Sequence, residues 1–254
     1  MILHLNSKTQ EEAEALAKEH HAFCIYNGDE YVLITSSGLK EVPEGLKPHV
    51  HNHWVFANDN QLASKDYMST TREIDFGRFK IGGNTKNTVL IGGPCSVESE
   101  TQIRESATFM AGLGLKMFRG GCYKPRTSPY SFQGLGLEGL QLLAKMREEC
   151  GMLVITEVRD ATHVAEVIEH TDVIQIGAKA MYDQGILRAC AKIDKPVLIK
   201  RGFGTTLQEC VQAAEFILSG GNSKVMLCER GIRTFETGTR FTLDLCGVAW
   251  LKQH

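Results

Sequence analysis

From Val89 onward the chain alternates short apolar runs with amphipathic stretches. The runs are Val89 to Ile91, Leu115 to Phe118, Leu153 to Ile155, Val173 to Ile176, Pro196 to Ile199 and Val225 to Leu227. Between them, segments such as Glu138 to Glu149, Ala161 to Glu169 and Leu207 to Leu218 place apolar residues at helical spacing. Strand and helix in strict alternation predict a parallel α/β fold.

Before Val89 the pattern changes. Met1 to Leu5 reads as a strand, and Thr9 with Glu12 as a capping box ahead of the helical stripe Ala13, Leu16 and Ala17. Ala22 to Tyr26 and Glu30 to Thr35 flank Asn27-Gly28, a pair that suits a tight hairpin turn. These elements predict a small ferredoxin-like α+β domain with its linker over residues 1–70, the main domain following over 71–254. Asn58 to Thr71 is polar and reads as the linker, and Glu73 to Phe76 with Phe79 to Ile81 form a second hairpin around Gly77-Arg78. His49, His51 and His53 would share one face of an extended strand, a conceivable metal patch. With no carboxylate or cysteine at ligand spacing nearby, an exposed edge or linker is the expectation.

The residues that end the later runs carry the chemistry. In order they deliver Cys95, Arg119, Glu157, Gln175 with Lys179, Lys200 with Arg201, and Glu229 with Arg230. Polar groups at six consecutive strand ends fit the carboxyl face of a (β/α)₈ barrel of the TIM type. A doubly wound sheet would gather them at a single switch point. No GxGxxG or GxxxxGK[ST] segment supports a nucleotide cofactor.

The richest stretch is Arg119 to Gly134, RGGCYKPRTSPYSFQG. Gly120 and Gly121 permit close approach to a ligand, Pro125 and Pro129 stiffen the loop, and Thr127 and Ser128 offer hydroxyls. Gathering Arg119, Lys124, Arg126, Lys179, Lys200 and Arg230 in one mouth would be self-repelling without anions, so the expected ligand carries several negative charges. Glu157 and Glu229 read either as partners that place these cations or as groups in the chemistry itself. Lys200 could alternatively be a Schiff-base lysine.

Overall charge does not extend this to polyanions. Lys plus Arg number 28 against 30 Asp plus Glu, and a net charge of −2 supports neither a nucleic-acid nor a membrane-surface partner. The start, MILHLNSKTQEE, has no signal-peptide pattern, so the expected location is cytoplasmic. The 8 cysteines include no CxxC pair and read as reduced thiols, mostly core fillers.

IGGPCSVES (Ile91 to Ser99), RGGCYKPRTSPYSFQGLG (Arg119 to Gly136), TEV (Thr156 to Val158), QIGA (Gln175 to Ala178), LIKRG (Leu198 to Gly202) and LCERGIRTFE (Leu227 to Glu236) together resemble 3-deoxy-D-arabino-heptulosonate 7-phosphate (DAHP) synthases. The resemblance is to the branch related to 3-deoxy-D-manno-octulosonate 8-phosphate (KDO8P) synthase. It implies condensation of phosphoenolpyruvate with erythrose 4-phosphate, the first step of the shikimate pathway to aromatic amino acids. It also implies a divalent metal ion, a homo-oligomer and a regulatory role for the amino-terminal domain. By this resemblance Arg119, Lys124, Lys200 and Arg230 hold the phosphoenolpyruvate carboxylate and phosphate, with the Ala178 backbone as a further donor. Arg126 and Thr127 receive the aldose phosphate, Cys95 is a metal ligand, and Glu157 is a site carboxylate. Lys124, Glu157 and Lys200 are the residues expected to act in catalysis.

Two positions depart from the family. Lys179 stands where arginine is usual, keeping charge but losing the bidentate fork. Cys122 stands where alanine is common and reads as packing. A complete barrel takes about 250 residues, and Val89 to His254 accommodates about six units, so the expected architecture is a barrel truncated after them, without the remaining metal ligands. The alternatives are a KDO8P synthase acting on a longer aldose and an inactive truncated barrel.

Overall fold

The computed structural model describes residues 1–7, 9–124, 126 and 128–254. Its amino-terminal part is built from β1 (Ile2–Leu5), α1 (Gln10–Glu19), β2 (Phe23–Tyr26), β3 (Tyr31–Ile34) and β4 (Val50–Trp54). They form an antiparallel sheet in the order β2-β3-β1-β4. This is the strand order of a ferredoxin-like unit whose second helix is replaced by a loop ending in a 3₁₀ turn, Lys47–His49. The sheet is two-faced, as period-two alternation requires. Leu3, Leu5 and Leu33 pack with Ala13 and Ala17 of α1, while Ile2, Val32 and Ile34 pack with Phe56 and Leu62 on the other side.

Two local expectations are adjusted. The Thr9 hydroxyl accepts from the Glu12 amide at 3.4 Å, but the returning bond from Glu12 is not seen among the described residues, so only half of the box forms. The hairpin turn is longer than two residues. The strands stop at Tyr26 and resume at Tyr31, and the Asn27 side chain closes the gap by accepting from the amides of Asp29 and Glu30, both at 3.0 Å.

The hairpin expected near Gly77 is present as β5 (Glu73–Asp75) paired with β6 (Lys80–Gly82). The main sheet follows, with β7 (Ile91–Gly92), α2 (Glu100–Gly112), β8 (Met117–Arg119), α3 (Leu137–Cys150), β9 (Leu153–Val158), α4 (Val164–His170), β10 (Val173–Ile176), α5 (Gln184–Ala191), β11 (Val197–Lys200), α6 (Leu207–Leu218) and β12 (Val225–Cys228). A last helix, α7, spans Leu245–Gln253. The six strands run parallel in sequence order from β7 to β12, a curled half-barrel. β7 and β12 form its two outer edges, the open-sided arrangement the sequence predicts.

Alternation sorts the strand side chains. Phe118, Val154, Ile174, Val197 and Ile199 face the helices and join Leu140, Leu143, Ile186 and Ile217 in the principal core. Met117, Ile155 and Val173 face the concave side, where Phe76, Phe79 and Ile81 of the β5–β6 hairpin close the amino-terminal end. The hairpin is therefore a plug, and it forces the open end of the cup to be the carboxyl end. The stretch read as a linker is tied down: the amides of Leu62 and Ala63 donate to the Glu215 carboxylate of α6 at 2.7 and 2.9 Å.

Gly93, just after β7, has a φ of +130°, and a Cβ there would collide with the Arg119 carbonyl oxygen. Gly93→Ala should cost about 2–3 kcal/mol through backbone strain and this clash. Urea unfolding, read as a lowered midpoint, checks it.

Candidate active site at the carboxyl ends of the strands

The positions that carry apolar side chains at the floor of the cup carry polar ones two residues further on. Met117 is followed by Arg119, Ile155 by Glu157, Val173 by Gln175, and Leu198 by Lys200. Strand periodicity puts each pair on one face, and the parallel register sets Gln175 beside Glu157 and Lys200 beside Cys228. Gln175 Nε2 donates to Glu157 Oε2 at 2.7 Å, and Lys200 Nζ reaches the same oxygen at 3.2 Å. A Cβ on Gly177 would overlap Glu157 Oε1, so the carboxylate occupies space that exists only because residue 177 is glycine. Glu157 is thus in direct contact with one of the expected cations.

Arg119, Lys124, Glu157 and Gln175 line one recess with Gly120 and Gly121. Lys124 is only 7% exposed. Its Nζ donates to the Cys95 carbonyl at 2.9 Å and lies 3.5 Å from Cys95 Sγ, which brings the loop after β7 and the loop after β8 together. The two glycines serve packing. A Cβ at Gly121 would stand 2.9 Å from Lys124 Nζ, and one at Gly120 would stand 2.9 Å from Val97. Burial pushes the Cys228 thiol up, while Lys200, Arg119 and Arg230 pull it back and Glu229 opposes them, so three of the expected cations act on one point of the cup. The Arg230 guanidinium lies 4.0 Å over the Phe241 ring, and its Nη1 is buried without a hydrogen-bond partner among the described residues. A buried donor left open in this way suits an incoming anion.

Other predicted residues stand further out. Arg126 is exposed and donates from Nε to the Phe132 carbonyl of its own loop at 3.2 Å. Ala178 is half-buried and Lys179 exposed in the turn after β10. Thr127 lies outside the described residues. Cys122 is fully buried in the principal core, and burial pushes its thiol up to about 12, in keeping with a packing role. Glu229 is a structural partner: Arg201 Nη1 sits 2.9 Å from Glu229 Oε2 and 2.7 Å from Asp244 Oδ2.

Sequence reasoning missed that Arg201 network and also Tyr123. The Tyr123 ring stacks on His163 at 4.0 Å between centroids, and its hydroxyl donates to Glu166 at 2.5 Å, pinning the start of the loop after β8 to α4. Burial and the Glu166 contact push this phenol up. Its partners lie about forty residues away, so no local spacing announces them.

The sequence model of the DAHP synthetase I family matches residues 65–254, which include every strand of the cup. The chain belongs to that family. A phospho-2-dehydro-3-deoxyheptonate aldolase from Thermotoga maritima is 45% identical over 194 residues, covering 76% of this chain and 57% of the relative. A 2-dehydro-3-deoxyphosphooctonate aldolase from Francisella tularensis subsp. holarctica is 34% identical over 157 residues, 59% of this chain and 57% of that protein. The chain thus spans a little over half the length of these curated relatives. Among solved structures, the Thermotoga maritima DAHP synthase superposes with a TM-score of 0.73 at 36% identity, covering 99% of this chain and 75% of the other. A truncated form of the Thermotoga enzyme gives 0.69 at 41% identity, covering 77% and 71%. The DAHP synthase family is generally metal-dependent. No helix among the described residues is long and apolar enough to cross a membrane.

Proposed function

We propose that this chain forms the phosphoenolpyruvate-gripping part of an enzyme that condenses phosphoenolpyruvate with erythrose 4-phosphate and water, releasing DAHP and phosphate. The observation that carries this reading is the set of buried or half-buried cations on the carboxyl side of β8, β11 and β12, Arg119, Lys124, Lys200 and Arg230, above an apolar floor. Phosphoenolpyruvate presents a carboxylate and a phosphate, and charge-assisted bonds to each offset the repulsion among the four cations. In the reaction the enol carbon C3 bonds to the aldehyde carbon, whose oxygen takes a proton. Water adds at C2, leaving its hydroxyl there and supplying that proton, and the C2–O bond to phosphate breaks as the C2 hydroxyl becomes the ketone and its proton leaves with the phosphate.

Each residue has a part in this scheme. Arg119, Lys124 and Arg230 hold the anionic groups, with the Ala178 amide as a further donor. Glu157, fixed by Gln175, aims Lys200 at the enolate side. An ammonium paired with a carboxylate is arranged to grip an anion, which argues against the Schiff-base alternative. Arg126 and Lys179, further out, are assigned to the aldose phosphate and the departing phosphate respectively, and Thr127 joins Arg126 by the family resemblance alone.

The metal fits less well. Cys95 offers one thiolate, the Lys124 ammonium competes for it, and no group of three donors surrounds it among the described residues. One sulfur donor falls short of the three or four protein ligands that a divalent transition ion takes. Calorimetric titration tests the reading: phosphoenolpyruvate should bind saturably and at least about tenfold more tightly than pyruvate, which lacks the phosphate and its charge-assisted bonds. Equal affinity for the two would refute it. Phosphate release with erythrose 4-phosphate, compared with arabinose 5-phosphate, separates the proposed aldose from the longer one.

A further inference from the structure

We propose that His4, Glu30 and His51 form a metal site, for a divalent transition ion of the zinc class, on the amino-terminal sheet and apart from the cup. The three side chains come from three places in the sequence. His4 lies on β1, Glu30 just precedes β3, and His51 lies on the edge strand β4. Their donor atoms all lie within 4.8 Å of one another. His4 Nδ1 stands 2.6 Å from Glu30 Oε1, and His51 Nε2 stands 3.0 Å from Glu30 Oε2. The carboxylate thus already bridges both imidazoles, where an ion with bonds of about 2.0–2.2 Å would sit after a small opening.

The sheet is built irregularly at this point. Pairing of β1 with β4 steps from His4↔Asn52 to Leu5↔Val50, so His51 is the extra residue of a bulge. A regular ladder alternates faces and would point residue 51 away from His4; a bulge re-aims its side chain. This explains how an edge-strand histidine reaches a carboxylate beside the first strand.

The surroundings match a ligand set. The other ring nitrogen of His4, Nε2, is 2.9 Å from the Tyr67 hydroxyl, the outer hydrogen bond that orients a metal-binding imidazole. The His4 ring also packs on Trp54, with centroids 4.6 Å apart, which fixes its plane. Side-chain exposure rises from 12% at His4 to 26% at Glu30 and 45% at His51, so the cluster is anchored on one side and open on the other. Glu30 and His51 line a groove of about 520 Å³ with Asn6, Ser7, Tyr26 and Asp29, which leaves a fourth coordination position accessible to water. Two imidazoles and one carboxylate favour zinc-class ions over calcium or magnesium, which prefer oxygen alone. Coordination through His4 Nδ1 requires the ring proton on Nε2, where it donates to the Tyr67 hydroxyl oxygen, and coordination through His51 Nε2 requires that nitrogen to be unprotonated.

Cobalt(II) absorption on the metal-free full chain tests this. A Cys95→Ser background removes the exposed thiol of the cup, and binding by any other cysteine would announce itself by a sulfur-to-cobalt band in the near ultraviolet. One equivalent of Co²⁺ should give visible absorption without that band, and one equivalent of Zn²⁺ should abolish it. Tyr67→Phe should weaken binding about tenfold by removing the outer hydrogen bond, and His51→Ala by more than that. Because His51 is exposed on an edge strand, its replacement should leave the circular dichroism unchanged. Affinity unaltered in His51→Ala, absorption only with the sulfur band, no cobalt binding, or displacement by Ca²⁺ as effective as by Zn²⁺ would each overturn the proposal.

Discussion

Lys200→Ala is expected to lower phosphoenolpyruvate affinity about 10- to 100-fold, the loss of one charge-assisted bond worth roughly 1.5–3 kcal/mol. Two effects add. The ligand loses a cation, and Glu157, held 2.7 Å from Gln175 Nε2, keeps a charge with no ammonium to offset it. That uncompensated carboxylate then repels the incoming anion. Lys200→Ala with Glu157→Gln should regain part of the lost affinity, because the repulsive charge goes as well. Titration calorimetry on the two variants decides, and an unchanged affinity in the single variant would remove Lys200 from the proposed grip.

The largest stability effect is expected from Arg201→Ala. Arg201 side-chain exposure is 7%, and that of its partner Glu229 is 4%. Its guanidinium also meets Asp244, the N-cap of α7, and donates from Nε to the Thr205 carbonyl at 3.0 Å. Removing the cation strands a buried carboxylate and loosens the helix that Asp244 caps, at a cost of about 3–5 kcal/mol. The same contact gives an acid signature. The Arg201 hydrogen bond holds the Asp244 carboxyl below its usual range. A depressed carboxyl contributes stability fully above the unfolded value of about 3.9 and loses it as pH falls through the lower folded value. Wild-type protein should therefore lose stability steeply below about pH 4, and Arg201→Ala should show a flatter acid limb. Thermal melts across pH 2.5 to 7 test both, and parallel acid limbs would count against the Arg201–Asp244 contact.

The strand order and the polar strand ends were legible in the sequence because each is a local signal. A run such as Val173 to Ile176 bounds its own strand, and parallel alternation then carries the next polar residue to the rim. Lys200 and Arg201 show where that ends. They are adjacent in LIKRG, yet one faces Glu157 in the cup and the other is enclosed by Glu229 and Asp244. Only the register and the chain after β12 separate them. Glu157 was readable as a charge at a strand end, but not as the acceptor shared by Gln175 and Lys200. The histidine-rich segment was rightly placed at an edge, since β4 ends its sheet. Its carboxylate partner was invisible because Glu30 is brought to it by pairing through β3 and β1, and because the bulge at His51 breaks the alternation on which a one-dimensional reading depends.

Glu157 also has no freedom to retreat. The bare backbone of Gly177 closes the rim side of its carboxylate at Oε1, and Oε2 is claimed by both Gln175 and Lys200. A side chain hemmed in on three sides cannot follow a ligand as it arrives. The ammonium it anchors therefore stands at a fixed height above the barrel floor, and the substrate, rather than the protein, must do the adjusting.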